Sequence, residues 1–229
     1  MSAETHFQKE LETLKENLLK MATLVEEAIH DAVQSLVKRD SDLAHKTMEK
    51  EDRVNRLEIS IDETCLKLLA LRQPMAVDLR FITSAMKIVT DLERMGDQAV
   101  NVCERAISLN QEPQIKPYID IPIIAEITQS MVKDVLDAFV NRDVKLARSV
   151  CERDDMVDRL NDQVFRELLT YMMSDPKTIT RAVHLMIVCR CLERIADHAT
   201  NIAEDVIFMV DALVIKHRAD VREEQPAES

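Results

Sequence analysis

The chain has 229 residues with one glycine, no tryptophan, 3% aromatic residues and a formal charge of −12. So little glycine and aromatic content starves β-turns and sheet packing, while good helix formers abound, so the composition predicts an all-α protein. The negative charge excludes nucleic acid as a natural partner, because binding a phosphate backbone needs clustered Lys and Arg.

In chain order, the first expected helix carries Phe7, Leu11, Leu14, Leu18, Met21, Val25, Ala28 and Ala32 in alternating steps of four and three, and ends near Lys38-Arg39. Asp40 or Ser41 can cap a second helix reaching about Arg72, and Pro74 opens a third that runs to about Leu109. Pro113, Pro117 and Pro122 mark a linker over 110–121. Three further helices are expected from Pro122 to Asn141, Asp143 to Met173 and Pro176 to Val214, with a polar tail over 216–229 expected to be disordered. Charged residues interrupt every apolar run, so no membrane insertion is expected. The first residues lack the basic and apolar regions of a signal peptide, which predicts a cytoplasmic chain with five reduced cysteines packed as small core residues.

The chain repeats itself. DLERMGDQAVNVCER at 91–105 is answered by CLERIADHATNIAED at 191–205, with Glu93, Arg94, Asp97, Ala99, Asn101 and Glu104 each identical at +100. Further upstream, Val37, Arg39, Asp40, Asp52, Val54 and Arg56 match Val140, Arg142, Asp143, Asp155, Val157 and Arg159 at +103. The change of offset places a three-residue deletion before the last helix. The prediction is two tandem, pseudo-symmetric three-helix bundles with long antiparallel helices, over 1–109 and 122–215.

The repeated polar positions form stripes. At 100° per residue, Glu93, Asp97, Asn101 and Glu104 fall in one narrow band beside the apolar arc of the third helix, and Glu193, Asp197, Asn201 and Glu204 repeat it. Glu51, Asn55 and Glu58 stand at i, i+4 and i+7 on the middle helix, with Asp154, Asp158 and Asn161 as their counterparts. Taken singly, such pairs are solvated faces. Two copies with partner stripes point instead to cation sites, since a cation reverses the repulsion among clustered carboxylates. The expected ligands are Glu51, Glu93 and Asp97 in one repeat and Asp154, Asp158, Glu193 and Asp197 in the other. An all-oxygen set suits a divalent or trivalent Mg, Mn or Fe ion. Asn55 in the place of Asp158 leaves the first middle-helix stripe one charge poorer, which predicts weaker cation affinity there.

Gly96 and Ala196 lie in the apolar arcs, where close approach of a neighbouring helix would compensate the cost of a mid-helix glycine. Glu27-x-x-His30 fits one element of a carboxylate-bridged di-iron site, but the second repeat has no matching element, so it reads as incidental. His198 falls outside the apolar arc and is expected at the surface. There is no nucleophile elbow or phosphate-binding loop, so no enzymatic function is expected. The alternative reading is a carboxylate-bundle metalloprotein, a di-iron oxidase or an iron store.

The stretch from Pro74 to Val102, with its Pro-x-Ala-x-Asp-Leu-Arg opening at Pro74–Arg80, together with the Glu93/Asp97 and Glu193/Asp197 elements, resembles the PhoU family of accessory regulators of phosphate-specific transport. The likeness spans both repeats, although the second has Thr178-Ile179-Thr180 in place of Asp-Leu-Arg. It implies a homodimer carrying metal on its acidic motifs, peripheral to the inner membrane through protein partners. It also implies linkage of a phosphate ABC transporter to a membrane sensor histidine kinase, repressing the starvation response when phosphate is plentiful.

Overall fold

A computed structural model describes residues 3–214; the expected tail at 216–229 lies outside the described residues. Eight α-helices and no strand are found among them: α1 (Ala3–Val37), α2 (Ser41–Met48), α3 (Glu51–Arg72), α4 (Ala76–Asn110), α5 (Asp120–Asn141), α6 (Val144–Cys151), α7 (Asp154–Ser174) and α8 (Ile179–Asp211), the last preceded by a 3₁₀ turn at Pro176–Thr178. The all-α, duplicated architecture is as the composition and repeats require. Each expected middle helix, however, is broken in two, at 49–50 and at 152–153.

Local chemistry explains the ends. Arg39 adopts φ 57°, and the Asp40 N–H donates back to Ser35 O at 2.9 Å, closing α1 with a left-handed cap. The Asp40 carboxylate then accepts from Leu43 N at 2.9 Å and starts α2. The second repeat does the same at +103: Arg142 has φ 55°, Asp143 N donates to Ala138 O at 2.9 Å, and the Asp143 carboxylate accepts from Leu146 N at 3.0 Å. The breaks are paired as well. Lys50 leaves the first to pair with Asp31 at 2.8 Å, and Arg153 leaves the second to pair with Asp134 at 2.7 Å, again at +103. Beyond α7 the register is +100, so the deletion falls at the α7–α8 corner, where the 3₁₀ turn takes the place of the first turn of α4.

The α1 seam is buried from Leu14 to Ala32, with Phe7 and Leu11 packed at its edge. Within each repeat the first helix, the two halves of the broken middle helix and the last helix pack together, and α4 and α8 also pack together as the most extensive helix pair. The buried apolar residues of both repeats therefore merge into one core. Across this junction Lys87 meets Asp205 at 2.8 Å, Arg80 Nε donates to Met209 O at 3.2 Å, and Phe81 stacks on Phe139 at 5.7 Å. The linker is tied down at both ends. Arg39 donates to Asn110 O and Glu112 O, Arg181 donates to Pro113 O, and buried Lys116 pairs with Asp120 and Glu167.

The single-arc reading of the last helix needs one correction. His198 is buried, not exposed, and its Nδ1 lies 2.8 Å from Asp91 Oδ1 on α4. Helix α8 is covered on two sides, by its own bundle and by the other repeat, so a position outside the first apolar arc falls inside the second contact. The space at Gly96 also differs from expectation. A Cβ there would stand 3.5 Å from Val54 Cγ1 and 4.0 Å from Val25 Cγ2, ordinary contact distances, so glycine is not required for close packing.

Candidate functional site

The broken middle helices place α3 beside α4 and α7 beside α8, so the stripes inferred from spacing meet as two acidic clusters. In the first, burial raises the carboxyl pKa of Glu51, with Asp97, Asp52 and Glu104 adding repulsion. Burial likewise raises Glu58, aided by Asp62 and Asp97, and raises Glu93, aided by Asp97, Glu58 and Glu51. Glu51, Glu93 and Asp97 are thus electrostatic neighbours, as the helical phase predicts. Glu58 and Asp62 extend the cluster beyond the expected ligands; the i+7 position of Glu58 on the stripe was its signal.

In the second cluster burial pushes the Asp154 carboxyl up to about 6, with Asp197, Asp158, Asp155 and Glu193 adding their charge. Asp158 is raised by burial and by Asp197. Glu193 is raised by burial; Arg190 and a hydrogen bond from Asn161 oppose the shift, and Asp158 and Asp197 favour it. Both oxygens of Glu193 are engaged, one by Asn161 Nδ2 and the other by Arg190. All four expected residues therefore lie within electrostatic reach of one another. The stripes themselves balance in charge, because Asn161 stands where the first repeat has Glu58, and this removes the basis for expecting a poorer first stripe.

The two asparagines of the α4 and α8 bands do not join the clusters. Asn101 donates to Asp97 O of its own helix at 3.0 Å, and Asn201 donates to Asp91 Oδ1 at 3.3 Å. The Glu27/His30 element stays apart as well, since Glu27 pairs with Lys50 and His30 lies 3.4 Å from Gln129 Oε1. The five cysteines are free, and burial pushes their thiols up to about 11 or 12, which makes them poor nucleophiles and poor metal ligands.

Among the described residues, no group of three or more His, Cys, Asp or Glu side chains is drawn together closely enough to hold an ion as it stands. The chemistry of the two clusters nonetheless fits a hard cation. Asp154 Oδ1 and Asn55 Oδ1 are buried acceptors without a hydrogen-bond partner, one in each cluster and each on the stripe of the middle helix. An orphaned acceptor beside repelling carboxylates costs free energy that a cation would recover.

Comparison with known proteins agrees with this duplicated plan. The model of the PhoU domain matches twice, over residues 18–106 and 121–206. The chain belongs to the PhoU family. A phosphate-specific transport system accessory protein PhoU homolog of Aquifex aeolicus is 48% identical over 210 residues, covering 92% of this chain and 95% of that protein. Its counterpart of Pseudomonas aeruginosa is 44% identical over 224 residues, covering 97% and 93%. The crystal structure of PhoU from Pseudomonas aeruginosa superposes with a TM-score of 0.88 at 46% identity over 90% of this chain and 100% of that one. The phosphate transport system regulatory protein PhoU from Streptococcus pneumoniae gives 0.83 at 28% identity, over 91% and 98%. No helix among the described residues of this PhoU-family chain is long and apolar enough to cross a membrane.

Proposed function

We propose that this PhoU-family chain is a non-enzymatic, metal-binding adaptor. It links a phosphate ABC transporter to a membrane sensor histidine kinase and represses the phosphate-starvation response when phosphate is plentiful. In this reading it acts as a cytoplasmic homodimer at the inner face of the membrane, held there by its partners. Two things support it: its similarity to accessory proteins of phosphate-specific transport, and the long helical faces available for docking. The observation that carries the metal part is the pair of acidic clusters, each with one orphaned acceptor oxygen. The ligands are Glu51, Glu93 and Asp97 in the first cluster and Asp154, Asp158, Glu193 and Asp197 in the second; a bound Mg, Mn or Fe ion would supply positive charge that neutralises each cluster and fixes the middle helix to the last. Glu193 would exchange its bonds to Asn161 and Arg190 for the ion.

Calorimetric titration with Mn²⁺, Mg²⁺ and Fe²⁺ tests the metal part. Saturable binding is expected, weakened by Glu193→Ala/Asp197→Ala; unchanged affinity in that variant would remove the assignment. Deleting the gene should switch on starvation genes in phosphate-rich medium, and silence of those genes would remove the regulatory part. An anaerobic iron-addition spectrum separates the adaptor from a di-iron oxidase or iron store, for which oxygen-dependent turnover or bulk loading is required.

A further inference from the structure

Helix α3 turns carboxylates towards α4 and a different chemistry towards α1. Between α1 and α3 lies an open groove of about 770 Å³, lined by Lys20, Thr23, Leu24, Glu27, Arg53, Arg56 and Leu57. Lys20, Arg53 and Arg56 are exposed, and among the described residues none of them makes an ion pair or a side-chain hydrogen bond. Glu27, the one carboxylate of the groove, is already engaged by Lys50 at 3.4 Å. Three free cations on one groove are unexpected in a chain of net charge −12, where carboxylates to pair with them are plentiful.

The antiparallel pairing keeps them close. Glu27 meets Lys50 and Glu10 meets Arg72, so Lys20 lies level with about residues 57–62 of α3, just past Arg56, and Arg53 stands a little under one turn beyond Arg56. At 1.5 Å per residue the three backbone positions fall within about 14 Å along the helix axes.

The duplication supplies an internal control. The +103 register holds on both walls, as the Lys50–Asp31 and Arg153–Asp134 pairs demonstrate. In that register Lys20 becomes Ile123, Thr23 becomes Glu126 and Arg53 becomes Met156; of the cations, only Arg56 is kept, as Arg159. The same fold is thus built with an apolar and acidic lining, so the basic lining of the first repeat is not demanded by the packing of α1 on α3.

We propose that the α1–α3 groove of the first repeat binds a small polyphosphate-bearing anion. Two guanidinium groups give paired donors matched to phosphate oxygens, Lys20 adds a point charge, and the volume lies within the range of small-ligand sites. Leu24 and Leu57 offer an apolar wall for a base or other organic moiety on the phosphates. This site is separate from the acidic clusters, and it stands or falls independently of metal binding there.

The test is isothermal titration of the full-length protein with tripolyphosphate and with ATP, in metal-free buffer at low and moderate salt. Saturable, salt-sensitive binding of at least one probe is expected. Tighter binding of ATP would assign a role to Leu24 and Leu57, whereas equal binding would assign recognition to the phosphates alone. Lys20→Ile/Arg53→Met, which installs the residues of the second repeat, should weaken binding at least tenfold with an unchanged circular dichroism melt. Arg56→Gln serves as a second variant should that one unfold, and Arg166→Gln, a charge change on α7, should leave binding intact. Failure of both probes to bind, equal binding by Lys20→Ile/Arg53→Met and the parent, or binding of a poly-glutamate peptide in their place would overturn the proposal.

Discussion

At the scale of single residues, Asp154 shows how a site optimised for something other than stability is recognised. Its carboxyl pKa is raised to about 6 from the ordinary 3.8, chiefly by burial. The folded state therefore holds a proton more tightly than the unfolded chain, so the ionised group opposes folding above pH 6, and this penalty fades as pH falls from 6 towards 3.8. Asp154→Asn is expected to stabilise the metal-free protein by roughly 1 kcal/mol at pH 7.5, a modest figure because the side chain keeps part of its surface in water. It should have almost no effect at pH 3.5. Thermal melts of the two proteins across that range would decide it, and a gain independent of pH would mean that the carboxylate charge is not the cause. Gly96 offers a simpler case. Its repeat counterpart is Ala196, and a Cβ meets only ordinary contacts, so Gly96→Ala should stabilise by about 0.5–1 kcal/mol in urea unfolding. A loss instead would indicate that Val54 cannot give way.

At the scale of helices, the duplicated caps offer a matched pair of experiments. Arg39 and Arg142 both hold a positive φ that suits glycine better than arginine. Arg142→Gly should therefore gain about 0.5 kcal/mol. Arg39 additionally donates to Asn110 O at 2.7 Å and Glu112 O at 2.6 Å, so Arg39→Gly removes two bonds that fasten the linker and should cost about 1–2 kcal/mol. Denaturant melts giving the same sign for both variants would refute this account of the linker. Most of this element plan was legible in the sequence: the α1 seam, the capping aspartates, the linker prolines and the stripe phases are all local signals. The breaks at 49–50 and 152–153 were not. No Pro or Gly stands at either, Glu49 and Lys50 stay near helical dihedrals, and the cause is a tertiary one, the reach of Lys50 to Asp31 and of Arg153 to Asp134. His198 was misplaced for a related reason. A helical wheel shows one apolar arc, but a helix shared by two repeats has two buried faces, and the second of them carries polar residues.

At the scale of the whole molecule, that second face holds the repeats together. Asp91 and His198 are both buried, 2.8 Å apart, and Asn201 gives the same aspartate a further donor. The duplication places Cys191 and Gln98 at the corresponding positions, and they too are buried. The core therefore accommodates neutral residues at those positions on the opposite side, and packing alone does not call for a carboxylate and an imidazole. What such a pair adds is orientation: it is satisfied in only one alignment of α4 on α8, whereas apolar side chains tolerate several. Removing one partner is more damaging than removing both, because it strands a buried polar group. His198→Leu should accordingly cost about 3 kcal/mol, with Asp91 left to Asn201 alone, and the double variant Asp91→Leu/His198→Leu should recover most of that loss. Urea unfolding of the parent, both single variants and the double variant measures the coupling directly. Additive single effects would show that the two side chains act separately. A stable double variant whose metal titration or partner capture is nonetheless altered would show that the pair sets the angle between repeats, and so the relative placement of the two acidic clusters. If stability recovers and both functions are unchanged, the pair contributes to folding only, and the alignment of the clusters must come from Lys87–Asp205 and the stacked Phe81 and Phe139.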